Sequence, residues 1–132
     1  MGYLEFDDEY NDSSSNENMD DKLKKWRRAL RRTKRDRDDL PDIETIEEIV
    51  EYCIEKERFD DGLEFCNLWL EYTPDAVEAL QKKSYILLNL SKPKSAMEVI
   101  ERALTIDPFD RECLITKASI LDFIYSSRGI SR

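Results

Sequence analysis

Three cysteines, thirty carboxylates and no histidine bound the chemistry open to this chain. Without histidine it lacks the commonest general base and the commonest zinc ligand. Cys53, Cys66 and Cys113 lie 13 and 47 residues apart, with no C-x-x-C pair. That spacing fits neither a zinc site nor a dithiol couple, and small core residues are the expected role. Gly2, Gly62 and Gly129 are too scattered to cradle a phosphate. The many carboxylate pairs fall where charged, solvated helix faces are expected. The residues therefore point away from an enzyme, and no metal or cofactor is expected.

The other chemically loaded stretch is KLKKWRRALRRTKRDR, residues 22–37. It carries ten bases and one acid, a charge of +9, in a chain whose net charge is −9. Residues 1–21 carry −8 and residues 38–132 carry −10. The order is thus acidic head, basic segment, acidic body. Lys24, Lys25, Arg27, Arg28, Arg31, Arg32, Lys34 and Arg35 supply the charge, with Trp26 among them. Such a segment can neutralise phosphates, and its tryptophan can stack on a base. It can equally meet an acidic protein surface.

These groups must be positioned by helices. The chain has 132 residues, enough for one core, and only three Gly and four Pro, too few for a turn-rich β protein. Residues 1–21 show no period and are expected to be a disordered acidic head. Residues 20–37 are expected to form a helix capped by Asp20 or Asp21, with Leu23, Trp26 and Leu30 as a narrow apolar stripe. Leu40-Pro41-Asp42 breaks the chain. Five further helices are expected near 43–57, 60–72, 76–90, 93–106 and 110–127. Pro93 suits a first helical turn and Gly129 a stop. No apolar run approaches a membrane span. The odd cysteine count and the acidic N-terminus fit a reduced, intracellular setting, and a cytoplasmic one is expected.

Two prolines, Pro74 and Pro108, lie 34 residues apart. A slide of that length superposes Gly62 on Ala96, Cys66 on Ile100 and Leu70 on Leu104. It also superposes Ile46, Leu80 and Leu114; Val50, Ser84 and Ala118; and Cys53, Leu87 and Leu121. Small residues at 62/96 and 84/118 permit close helix approach, and the apolar sets at i, i+4 and i+7 make a packing face. A 34-residue period of two helices with this small/large/proline pattern resembles the tetratricopeptide repeat. The resemblance covers 43–76, 77–110 and one helix of a third unit at 111–127. Departures are Ile46, Leu80 and Leu114 where the family often has Trp, and Ile49-Val50 and Lys83-Ser84 where it often has Leu-Gly.

The resemblance implies an all-α, right-handed superhelix of helix-turn-helix units. It comprises two full repeats and a terminal helix, spans about 42–129, and is preceded by a basic amphipathic helix and linker at 22–41. If the terminal helix is a cap, Asp122, Ser126 and Arg128 should be solvated. The resemblance also implies a concave surface, lined by the first helix of each unit, that binds extended peptides or helices. On this chain that surface holds Glu44, Glu47, Glu48, Glu51 and Glu55, then Glu78, Gln81, Lys82, Tyr85, Leu88 and Asn89, then Glu112, Ile115, Thr116, Ser119 and Asp122. The glutamates would repel an acidic chaperone tail and favour a basic ligand. The expected function is a non-catalytic protein-interaction scaffold that captures a basic or amphipathic peptide, with Tyr85 and Leu88 as anchors and Glu47 and Glu51 as charge selectors. The rival is a nucleic-acid-associated protein acting through residues 22–37. That segment is otherwise a solvated helix stacked on the first repeat, an interaction element for an acidic protein (a second copy included), or a membrane-surface helix with a narrow stripe.

Overall fold

In a computed structural model the described residues are 19–32 and 40–127. They contain six helices and no strand. The chain divides into two compact units, Met1–Asp42 and Ile43–Arg132.

The first unit contributes α1, residues 19–30. Its described part starts at residue 19, so Asp20 and Asp21 are helical residues rather than caps. Met19, expected in the head, is helical as well. The helix stops at residue 30, short of the expected 37. Arg31 N is shared between Arg27 O and Arg28 O, both at 3.2 Å, and Arg32 N reaches back three residues to Ala29 O at 3.3 Å. The last turn tightens there, where Arg27, Arg28, Arg31 and Arg32 place like charges three and four residues apart. Leu23 and Ala29 are buried, and Trp26 and Leu30 half-buried, as the apolar stripe requires. Residues 1–18, Lys34 and Arg35 lie outside the described residues.

The second unit contains five helices in sequence: α2 (Ile43–Glu55), α3 (Phe59–Tyr72), α4 (Val77–Asn89), α5 (Pro93–Ile106) and α6 (Arg111–Ser127). Each start and end lies within two residues of the sequence expectation. Each helix packs on the next, and α4 also meets α6. The turns repeat with the same 34-residue offset. Glu57 and Ser91 both take left-handed backbone, φ 58° and 61°. The residue after each closes back five positions, Arg58 N to Cys53 O at 2.7 Å and Lys92 N to Leu87 O at 2.9 Å. This Schellman-type closure ends α2 and α4 alike. At the ends of α3 and α5, Thr73 N donates to Trp69 O and Asp107 N to Ala103 O, each at 2.9 Å.

Close approach occurs where small residues fall. A Cβ on Gly62 would lie 2.9 Å from Ile86 Cδ1 and 3.2 Å from Cys53 Cβ. One unit later the Ser84 hydroxyl, fully buried, donates to Ala96 O at 2.7 Å. Ile46, Val50, Phe65 and Ile86 are buried among the earlier helices, and Leu80, Ile100, Cys113 and Ile120 belong to one core cluster among the later ones. All three cysteines are buried, and none forms a disulfide.

The last helix, α6, departs from this pattern. Ile46 is 0% exposed and Leu80 2%, but their counterpart Leu114 is 46% exposed. Ala118 is exposed where Val50 and Ser84 are buried. Of the residues expected to be solvated on this helix, Ser126 is exposed and Asp122 half-buried; Arg128 lies outside the described residues. Among the large apolar side chains of α6, Leu114 and Ile115 are the most exposed.

Candidate interaction groove

Ile54 from α2, Gln81, Lys82 and Tyr85 from α4, and Glu112, Ile115, Thr116 and Ser119 from α6 line an open cleft of about 250 Å³. Tyr85 is 38% exposed and Ile115 50%, so each offers apolar surface there. Gln81 Nε2 donates to Thr116 Oγ1 at 2.9 Å, and that hydroxyl donates to Glu112 O at 2.8 Å. The pair fixes α4 against α6 at the cleft floor.

A second depression of about 300 Å³ adjoins it, lined by Val77, Glu78, Gln81, Lys82, Asp107, Asp110 and Glu112. Gln81, Lys82 and Glu112 line both. Its carboxylates come from two sources. Glu78 and Glu112 sit in the first turns of α4 and α6. Asp107 and Asp110 belong to the loop before α6, and Asp110 caps that helix, Oδ2 accepting from Cys113 N at 3.0 Å. Lys82 is the single cation among these lining residues and pairs with Glu51.

Of the residues singled out from sequence, Gln81, Tyr85, Ile115 and Ser119 line the one cleft. Glu51 is exposed and engaged by Lys82. Glu47 is half-buried on α2 and outside both linings. Leu88 packs against the core shared by α4, α5 and α6. Sequence reasoning missed Ile54, Val77, Asp107 and Asp110. Ile54 stands three residues after Glu51, on the same face, which was the available signal. The loop acids carried none, because helical periodicity does not extend to them.

On α1, Lys24, Arg27, Arg28 and Arg31 border a shallow depression of about 220 Å³. Lys25 Nζ stands 4.6 Å from the Trp26 ring centroid, so one neighbouring cation already engages the ring. Burial pushes the Cys66 thiol up to about 12. Burial, followed by a hydrogen bond with Asp110, does the same at Cys113. Thiols so placed stay protonated and unreactive near neutrality. Among the described residues no group of three or more His, Cys, Asp and Glu is placed to hold a metal ion, and no helix is long and apolar enough to cross a membrane. No family model matches the chain, and no curated protein sequence does.

Proposed function

We propose that the chain is a non-catalytic protein-interaction scaffold of the tetratricopeptide type. Its units wind as a right-handed superhelix, and the open side of α2, α4 and α6 captures a basic or amphipathic peptide. The observation that carries this reading is the convergence of Gln81, Tyr85, Ile115 and Ser119, from two helices of successive units, on one open cleft. The 34-residue recurrence of turn geometry supports the repeat assignment. Buried thiols outside any disulfide fit a reducing, cytoplasmic setting.

The test is capture from the host lysate on the full chain and on Tyr85→Ala/Ile115→Ala, with and without nuclease. Protein retained after nuclease and lost with the double variant is the expected result. Material lost with nuclease and indifferent to the variant overturns the reading. It would favour the second one, phosphate contact through α1, whose depression bordered by four basic side chains is the observation behind it.

A further inference from the structure

The two adjoining depressions differ in chemistry. One is bordered by Ile54, Tyr85 and Ile115. The other is bordered by the carboxylates of Glu78, Asp107, Asp110 and Glu112. Against these four stands one ammonium, Lys82, whose charge is already met by Glu51 from α2. The second depression is therefore net negative, whereas the first, with Lys82 and Glu112 as its charged lining residues, is net neutral and offers three large apolar side chains. Gln81, Lys82 and Glu112 form the border between them.

We infer that the groove reads two side chains of one peptide, a basic one against Glu78, Asp107, Asp110 and Glu112 and an apolar one against Ile54, Tyr85 and Ile115. The inference rests on the peptide-capturing reading above and specifies its ligand. Charge complementarity selects a lysine or arginine for the negative side and disfavours phosphate or an acidic peptide. Both depressions are open, which suits a chain lying across them better than an enclosed small molecule.

Helix geometry sets the spacing. Glu78 and Tyr85 mark the two compartments on α4 and are seven residues apart. At 1.5 Å per residue that is about 10 Å along the helix. An extended peptide rises about 3.3 Å per residue, so about three positions separate its basic and apolar side chains. The acidic end thus lies at the start of α4 and α6, not on the glutamates of α2. Glu51 acts through Lys82: its carboxylate keeps that ammonium from repelling the ligand's cation.

The experiment is selection of a random octapeptide library on the full chain. Selected peptides are then measured by fluorescence polarisation against wild type, Glu78→Gln/Glu112→Gln and Tyr85→Ala, with circular dichroism confirming that all three are folded. The expected winners carry Lys or Arg about three positions from Leu, Ile, Phe or Trp. The double glutamine variant should weaken them about tenfold at low salt, with the gap to wild type narrowing as salt rises, while leaving a version with the basic residue replaced by Ser unchanged. Tyr85→Ala should show the converse, weakening every peptide that keeps the apolar residue. Winners that are lost with Tyr85→Ala yet show no basic–apolar pair overturn the two-compartment inference and leave the scaffold reading standing. Winners with the pair at random spacing also overturn it. A selection yielding no peptide sensitive to Tyr85→Ala overturns both.

Discussion

Replacing Gly62 by alanine sets two effects of opposite sign against each other. Gly62 lies in the first turns of α3, and glycine within a helix costs about 1 kcal/mol relative to alanine, so the substitution gains on backbone entropy. The added methyl, however, would meet Ile86 Cδ1 at 2.9 Å and Cys53 Cβ at 3.2 Å. Carbon–carbon contact is best at about 3.5–4.0 Å. Ile86 can turn its terminal methyl, but it is fully buried and must turn into other core atoms. Cys53 Cβ is fixed to the backbone of α2, so relief there needs a shift of the helix itself. Overpacking of this kind costs about 1–3 kcal/mol. The packing penalty is the larger, and Gly62→Ala should destabilise the chain by about 1 kcal/mol. For a unit of this size that lowers Tm by about 4–8 °C. Thermal and urea unfolding followed by circular dichroism measure it, with the urea m-value unchanged. The Ile86→Val background removes the nearest atom, and the cost of Gly62→Ala should fall there by about 0.5 kcal/mol or more. A Gly62→Ala chain as stable as wild type, or an equal cost in both backgrounds, refutes the packing account.

Three other outcomes follow from burial and hydrogen bonding. Leu80→Ala should cost about 2–5 kcal/mol, and its counterpart Leu114→Ala under about 1 kcal/mol, because only Leu80 leaves a cavity; equal losses in urea titrations would contradict the exposure difference. Ser84→Ala removes the buried hydroxyl that bonds Ala96 O and should cost about 1 kcal/mol, read the same way. The folded state favours the neutral Cys66 thiol, raised from its ordinary 9.0 to about 12. Its contribution is whole below pH 9 and is lost as the pH rises toward 12, at up to about 1.4 kcal/mol per pH unit. Unfolding titrations from pH 8 to 11 should therefore show a shallower alkaline decline for Cys66→Ala than for wild type.

The helices of the second unit were legible because apolar spacing and proline position report on the same physics that builds them. Pro74 and Pro108 gave the period, and α2 to α6 fall where it places them. The hairpin turns were not legible. Left-handed backbone usually recruits glycine or asparagine, but here Glu57 and Ser91 adopt it, held by the closing bonds to Cys53 O and Leu87 O. The end of α1 was missed because an unbroken run of good helix formers hides the crowding of its charges. In the groove, Tyr85 and Gln81 could be read from one face of α4. Leu88 lies three residues from Tyr85, yet packs on the α4–α6 core. Glu51 read as a free selector because its partner Lys82 is 31 residues away, beyond any same-helix rule.

The burial of the thiols has a consequence for watching the molecule open. Alkylation needs a thiolate, and Cys66 in the closed state holds its proton until about pH 12. Modification at neutral pH therefore waits for the surrounding helix to part from its neighbours. Cys53, Cys66 and Cys113 sit on α2, α3 and α6, one on each. The native chain thus carries three clocks at separate addresses. A chain that opens all at once runs them at one rate; one that unzips from α6, where Leu114 is already wet, runs Cys113 ahead of the other two.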